Sequence, residues 1–387
     1  MIYRYSSPLR LAIFIFISTL CFSCGNKTSN HSSEEFLKIP SFIYQVIDSG
    51  SVQNPWAKIP GDIDGDGKLD IVIGGQKGPL VWYRNPDWEK FAIVDGGYDT
   101  VDGECGDIDG DGDMDVVMGG LFWYENPGDL TTNPGEVWKI HKIADHPTHD
   151  VELADLNNDQ RLDIITRNQS EFGTKKGNTI HLWMNMGNDQ WEEHILECDH
   201  GEGLRVADLD VDGDPDAMAA GYWFENKGNN EWLRHDFAQW HPSANLAIAD
   251  FNNDKCRDIV LTPSELATQQ YKISWFEHPL DLMNGKWIEH ALVDSIECVI
   301  HGVDVADFNS DGRMDIVYAE MHQGADPDEV VVLINKKDGL DWQKIVVSEK
   351  GSHSVEAADF NGDGIPDIFG ANWSGPYQSI ELWITEQ

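Results

Sequence analysis

The sequence predicts an all-β chain, a seven-bladed β-propeller whose N-terminal strand closes the last blade. Three observations predict it. A nine-residue acidic loop, clearest as Asp359-Phe-Asn361-Gly-Asp363-Gly364-Ile-Pro-Asp367, occurs seven times, starting at Asp62, Asp107, Asp155, Asp208, Asp250, Asp307 and Asp359. The copies lie 42 to 57 residues apart, a period of one blade per repeat when the segments between are short strands. Those segments are rich in β-branched and aromatic residues and are separated by turn residues, which is strand chemistry.

Each repeat reads in the same order. A short strand leads into the loop, as in Val151-Glu-Leu-Ala-Asp155 and Val303-Asp-Val-Ala-Asp307. A second strand leaves it, as in Asp70-Ile-Val-Ile, Asp115-Val-Val-Met and Asp315-Ile-Val-Tyr. The third is aromatic, around Trp82, Trp123, Trp183, Trp223 and Trp275. The fourth opens with Trp and carries His three residues on, at Trp138/His141, Trp191/His194, Trp232/His235 and Trp287/His290. The last repeat stops after Ile380-Glu-Leu-Trp-Ile-Thr and lacks a fourth strand. Phe42-Ile-Tyr-Gln-Val-Ile-Asp-Ser resembles the missing one, so it is expected to complete that blade and leave no free sheet edge.

The 387 residues include 15 Trp, 15 Phe and 10 Tyr, enough to build a large core and unlike a disordered chain. The formal net charge of -41 argues against nucleic acid as a partner and admits an anionic substrate only at a local basic pocket. At the N-terminus, Arg4 and Arg10 precede an apolar run from Leu11 to Phe22, too short to span a membrane as a mature helix. The run ends in Cys21-Phe-Ser-Cys24-Gly, which resembles a bacterial lipoprotein cleavage site with Cys21 in place of the usual Leu. Residues 1–23 are therefore expected to be a signal peptide, Cys24 the lipidated mature N-terminus, residues 24–39 a flexible tether, and 40–387 the propeller. The alternatives are an ordinary secretory signal or a signal anchor. The expected protein is a monomeric outer-membrane lipoprotein, at the cell surface or in the periplasm. Cys105, Cys198, Cys256 and Cys298 show no paired spacing from which to assign disulfides.

The loops place oxygen side chains at positions 1, 3, 5 and 9. These are Asp62, Asp64, Asp66 and Asp70; Asp107, Asp109, Asp111 and Asp115; Asp155, Asn157, Asp159 and Asp163; Asp208, Asp210, Asp212 and Asp216; Asp250, Asn252, Asp254 and Asp258; Asp307, Asn309, Asp311 and Asp315; and Asp359, Asn361, Asp363 and Asp367. Alternate oxygens on a tight turn suit a hard cation that takes six to eight oxygen ligands, so up to seven structural Ca2+ ions are expected, each tying one blade's hairpin. Gln160 and Lys255 stand where glycine is expected at position 6, and those two loops are expected to be weaker or empty.

These loops and their flanking strands resemble the FG-GAP/VCBS repeats of calcium-binding seven-bladed propellers, the fold of integrin α-subunit heads and many bacterial surface proteins. The resemblance covers residues 40 to 387. It implies that the strand before each loop is innermost and lines the central channel. A residue six positions before a loop is then about 20 Å from it, at the opposite channel mouth. Those residues are Trp56, Val101, His149, Glu202, Ala244, His301 and His353. Loops after the second strands add Arg167 and Glu171, Tyr271 and Lys272, His322, Asn372 and Trp373 to the same rim.

No Gly-x-Ser-x-Gly elbow is present. Histidine and tyrosine beside Arg and Lys suit β-elimination from a uronic acid, which needs a base for the C5 proton and a group that neutralises the adjacent carboxylate. The Trp123-Tyr-Glu-Asn-Pro-Gly strand end and the His-x-Val-x-x-Ala-Asp approach to the loop also resemble the propeller domain of aldos-2-ulose dehydratases and propellers of marine Bacteroidetes that degrade ulvan. That likeness implies a dehydratase or lyase acting on acidic oligosaccharides. His149, His301, His353, His322 and Tyr271 would be acid/base candidates; Arg167, Lys272, Asn372 and Trp373 would bind substrate. The alternative is a non-catalytic lipoprotein that binds glycan or protein through the same rim.

Overall fold

The computed structural model describes residues 38–98, 102–146, 148–168, 177–241, 243–264, 266–325 and 327–387. The signal peptide, Cys24 and most of the tether lie outside these residues, as do Val101 and Glu171. The described residues form seven four-stranded antiparallel sheets and no helix. In blade one the strands are Pro55–Gly61, Asp70–Gly75, Leu80–Arg84 and Glu89–Val94. Blades two to six follow the same order, and blade seven comprises Ser354–Ala358, Asp367–Ala371, Ile380–Glu386 and the N-terminal strand Ser41–Asp48. The closure expected from the sequence is therefore present, with Ser41 opposite Glu386 and Val46 opposite Glu381. First strands of neighbouring blades touch in a complete cycle, Pro55–Gly61 meeting Ser354–Ala358 at the seam. They line the central channel.

The strands alternate for a reason of burial. Second and third strands are sandwiched between neighbouring blades and read as continuous buried runs, as in Val330–Asn335. Outer strands face water on one side and alternate, as in Trp191–Glu197. The tryptophans of the third strands pack between blades, with Trp82, Trp223, Trp275 and Trp383 almost fully buried. Three of the outer-strand histidines complete a repeated stack. His141, His235 and His290 lie on Trp123, Trp223 and Trp275, and pair with Glu125, Glu225 and Glu277. Their repetition is packing, as the shared repeat position indicates.

The ninth residue of every loop has a role the spacing alone does not reveal. One carboxylate oxygen of Asp70, Asp115, Asp163, Asp216, Asp258, Asp315 and Asp367 accepts the N–H of loop position 2. The other accepts an N–H at the end of the third strand. A second staple crosses between blades. Asn85, Asn126, Asn185, Asn226 and Asn335 donate their amide to the position-2 carbonyl of the preceding blade, at 2.6 to 2.9 Å. In blade five His278 takes that place, buried, its ring near the Leu209 position-2 carbonyl but with neither ring nitrogen in a well-formed hydrogen bond.

Candidate functional site

The two faces of the ring differ chemically. On one lie the seven loops. Positions 4 and 6 adopt left-handed backbone in all of them, including Gln160 at φ 71 and Lys255 at φ 74. The loop conformation thus survives without glycine there, at a steric cost. Ligand oxygens of Asp62, Asp64 and Asp66, of Asp107, Asp109 and Asp115, and of Asp208, Asp210 and Asp212 each lie within 4.8 Å of one another. The buried Oδ1 of Asp62 has no hydrogen-bond partner. All-oxygen sets of this kind fit Ca2+.

The opposite face carries the residues six positions before the loops. His149, His301 and His353, from blades three, six and seven, meet there. The rings of His149 and His301 are 5.2 Å apart and those of His301 and His353 stack at 4.3 Å. Glu202 of blade four joins them, with Oε2 3.5 Å from His149 Nε2. Ligand atoms of His149, Glu202 and His301 fall within 4.8 Å of one another. Two imidazoles and a carboxylate are a set that suits Zn2+ or a similar transition metal rather than Ca2+. Asp150 Oδ1 lies 3.2 Å from the other nitrogen of His149, the arrangement that commonly orients a metal-binding histidine. Burial pushes His301 down to about 3 and His353 well below the usual histidine value, with neighbouring imidazoles adding to both shifts. Trp373 lies beside Trp56, His322 and His353, and His322 Nε2 is 2.9 Å from the Ser374 hydroxyl.

Below this mouth the channel holds charges that counting six positions back passes over. Counting three back gives Ile59, Glu104, Glu152, Arg205, Ala247, Asp304 and Glu356, and five of these are charged. Arg205 donates to Glu152 at 2.8 Å. Burial raises Glu104 to about 8 and Glu152 to about 7. Lys58 lines the same 220 Å³ cavity, donates to the carbonyls of Pro55 and Trp56, and is lowered by burial to about 7. Alignment of the repeats at that second position is the signal that finds this ring.

The structure divides the rim expected from the sequence in two. Arg167 and Tyr271 line a separate cavity of 870 Å³ with Tyr222, Arg234 and Trp240, and none of the three histidines lines it. Lys272 pairs with Glu289, its ammonium 5.5 Å from the centre of the Trp240 ring. The Asn372 amide donates to the carbonyls of Lys350 and Gly351, which occupies its donor group.

Residues 62–118, 107–166 and 307–370 match the FG-GAP-like repeat. The fold is similar to that of BBS1N in its crystal structure with ARL6DN, soaked with mercury, at TM-score 0.56 and 11% identity over 89% of this chain and 96% of that one. It is also similar to a chain of the mitotic checkpoint complex, at TM-score 0.54 and 7% identity over 94% of this chain and 97% of that one. These likenesses are of fold alone. No curated protein matches the sequence.

Proposed function

We propose that this chain, a seven-bladed β-propeller of FG-GAP-like repeats, is a carbohydrate-active carbon–oxygen lyase. It would act on the uronic acid of acidic, ulvan-type oligosaccharides at the channel mouth opposite the acidic loops. The observation that carries the reading is the meeting of His149, Glu202, His301 and His353 from four blades beside the Trp56 and Trp373 rings. β-Elimination needs three things: neutralisation of the carboxylate, removal of the C5 proton and protonation of the departing O4. A divalent metal held by His149, Glu202 and His301 would supply the first. The sugar face rests on Trp373, His353 takes the C5 proton, and His322, held by Ser374, gives a proton to O4. Departure of water makes the enzyme a dehydratase; departure of a sugar makes it a lyase.

The same reading gives the loops a structural role. Calcium in them ties each blade's hairpin, and lipid at Cys24 holds a monomer at the outer membrane. A second reading is non-catalytic binding of acidic glycan. It is favoured by the engagement of Asn372 and Lys272 within the protein, which withdraws two groups that would otherwise meet a substrate carboxylate.

The test is incubation with uronate-containing oligosaccharides while following the ultraviolet band of a conjugated C4=C5 double bond. New absorbance at constant chain length identifies a dehydratase, and shortened chains identify a lyase. Binding with no absorbance change across ulvan, alginate, pectin and glycosaminoglycan fragments supports the second reading instead.

A further inference from the structure

The 870 Å³ cavity bounded by blades three, four and five is of a size that holds a small organic ligand. Its back wall is Arg167, only 1% exposed. The guanidinium donates to the carbonyls of Gly203 at 2.7 Å and Asp199 at 2.9 Å, and to the Tyr222 hydroxyl at 3.4 Å. All three acceptors are neutral. Asp150 and Glu202 act on its charge from further away, but Arg167 forms no ion pair among the described residues. A buried cation without a carboxylate partner is costly, and the cost falls when an anion enters beside it. By contrast, Arg234 in the same cavity is already neutralised by Asp199 at 2.5 Å and Asp236 at 2.8 Å.

Two donors on this wall lack acceptors. Arg167 Nε and Trp240 Nε1 are both buried without a hydrogen-bond partner. The aromatic surfaces are also arranged for a ring. Trp240 meets Tyr271 edge-on at 5.0 Å between centroids, and Arg234 lies over the Tyr222 ring at 4.0 Å. A guanidinium that has no ion pair among the described residues and keeps its Nε unfilled, the unfilled Trp240 Nε1 and the flanking aromatic faces match an oxyanion carried on a sugar ring. They do not match an apolar or cationic ligand.

We infer that this cavity is a binding subsite for an acidic sugar, with Arg167 receiving its carboxylate or sulfate group and Trp240 and Tyr271 covering its ring. The subsite adjoins the channel mouth through Glu202 and Gly203. Glu202 faces His149, while Gly203 accepts from Arg167 and donates to Asp150 at 3.1 Å. It stands independently of the elimination chemistry, because a subsite holds a sugar unit whether or not a bond breaks nearby.

The experiment is calorimetric titration of the purified protein with glucuronate, glucose sulfate and glucose. The expected result is binding of at least one acidic sugar with glucose at least about tenfold weaker, in line with one charge-assisted contact. The carboxylate and sulfate arms show which oxyanion fits. Arg167→Gln should weaken the acidic sugar about tenfold or more and leave glucose unchanged. Because Arg167 also braces the Gly203 and Asp199 backbone, Trp240→Ala and Tyr271→Ala are measured beside it. Both should weaken the acidic sugar while the melting temperature stays within a few degrees of wild type. Equal binding of glucose and the acidic sugars, no binding of any of them, or unchanged affinity in the folded variants overturns the proposal. Heat of binding without ultraviolet product counts against the elimination reading alone.

Discussion

Replacing Asp216 should destabilise the protein even when no calcium is present, and replacing Asp212 in the same loop should not. Asp216 is completely buried. Its two oxygens accept the N–H groups of Leu209 at 2.8 Å and Asn226 at 2.9 Å. Burial raises the Asp216 carboxyl to about 7, so above that pH Asp216→Ala removes two bonds to a charged acceptor, each worth about 1.5–3 kcal/mol, and strands two buried N–H groups. Relief of the buried carboxylate offsets part of this, leaving a loss of about 3 kcal/mol. Asp212 is exposed in its loop, and its carboxylate accepts only the nearby N–H of Asp214, at 2.9 Å. Its alanine variant should lie within about 0.5 kcal/mol of wild type in chelator and should lose the calcium-dependent gain when calcium is added. Urea unfolding with chelator and with excess calcium measures all four states. Wild-type stability of Asp216→Ala in chelator would refute the assignment of position 9 as a backbone staple.

Three further expectations concern the fold and the channel. His278→Asn should stabilise the protein by about 1 kcal/mol, because it restores the amide bridge that five other blades make, and thermal unfolding reads the gain. Val211 is a β-branched residue at φ 62, in a place where two other loops use Asn158 and Asn253; Val211→Asn should raise stability by about 1 kcal/mol in the same assay. Glu104 is raised by burial to about 8, so the folded state keeps its proton where the unfolded chain has lost it. Its penalty is absent below the ordinary glutamate value and grows as pH rises from there towards 8. Glu104→Gln should therefore stabilise the protein at pH 8 by about 1 kcal/mol or more relative to its effect at pH 4, measured by denaturant unfolding at both.

The fold was legible because a propeller repeats its punctuation. Seven copies of one loop set the blade count, and the likeness of Phe42–Ser49 to the outer strands located the closure without any tertiary information. Repeat position also sorted the histidines, separating His141, His235 and His290 on outer strands from His149, His301 and His353 at the channel. The division of the rim was not legible. Arg167 and His149 are close to equivalent in height on the ring, and only the packing of Tyr222 and the Asp199–Gly203 segment shows that one faces an inter-blade cavity and the other the axis. Likewise, Lys272 reads as a free cation until its partner Glu289 arrives from the neighbouring strand. Ion pairing across strands depends on register, which the linear sequence leaves open. The double duty of position 9 was hidden for the same reason, since its second partner lies 10 to 22 residues away on the third strand.

The most direct test of the account compares initial rates of unsaturated-uronate formation in channel-mouth and loop variants. His149→Ala and His301→Ala should abolish the rate and leave the melting temperature near wild type, and metal analysis should find none of the transition metal proposed for His149, Glu202 and His301 in either purified variant. Asp111→Ala should lower the melting temperature in calcium and keep the rate. Full activity in both histidine variants, or activity that depends on the Asp111 loop while the histidines are dispensable, would contradict the placement of chemistry on the face opposite the acidic loops.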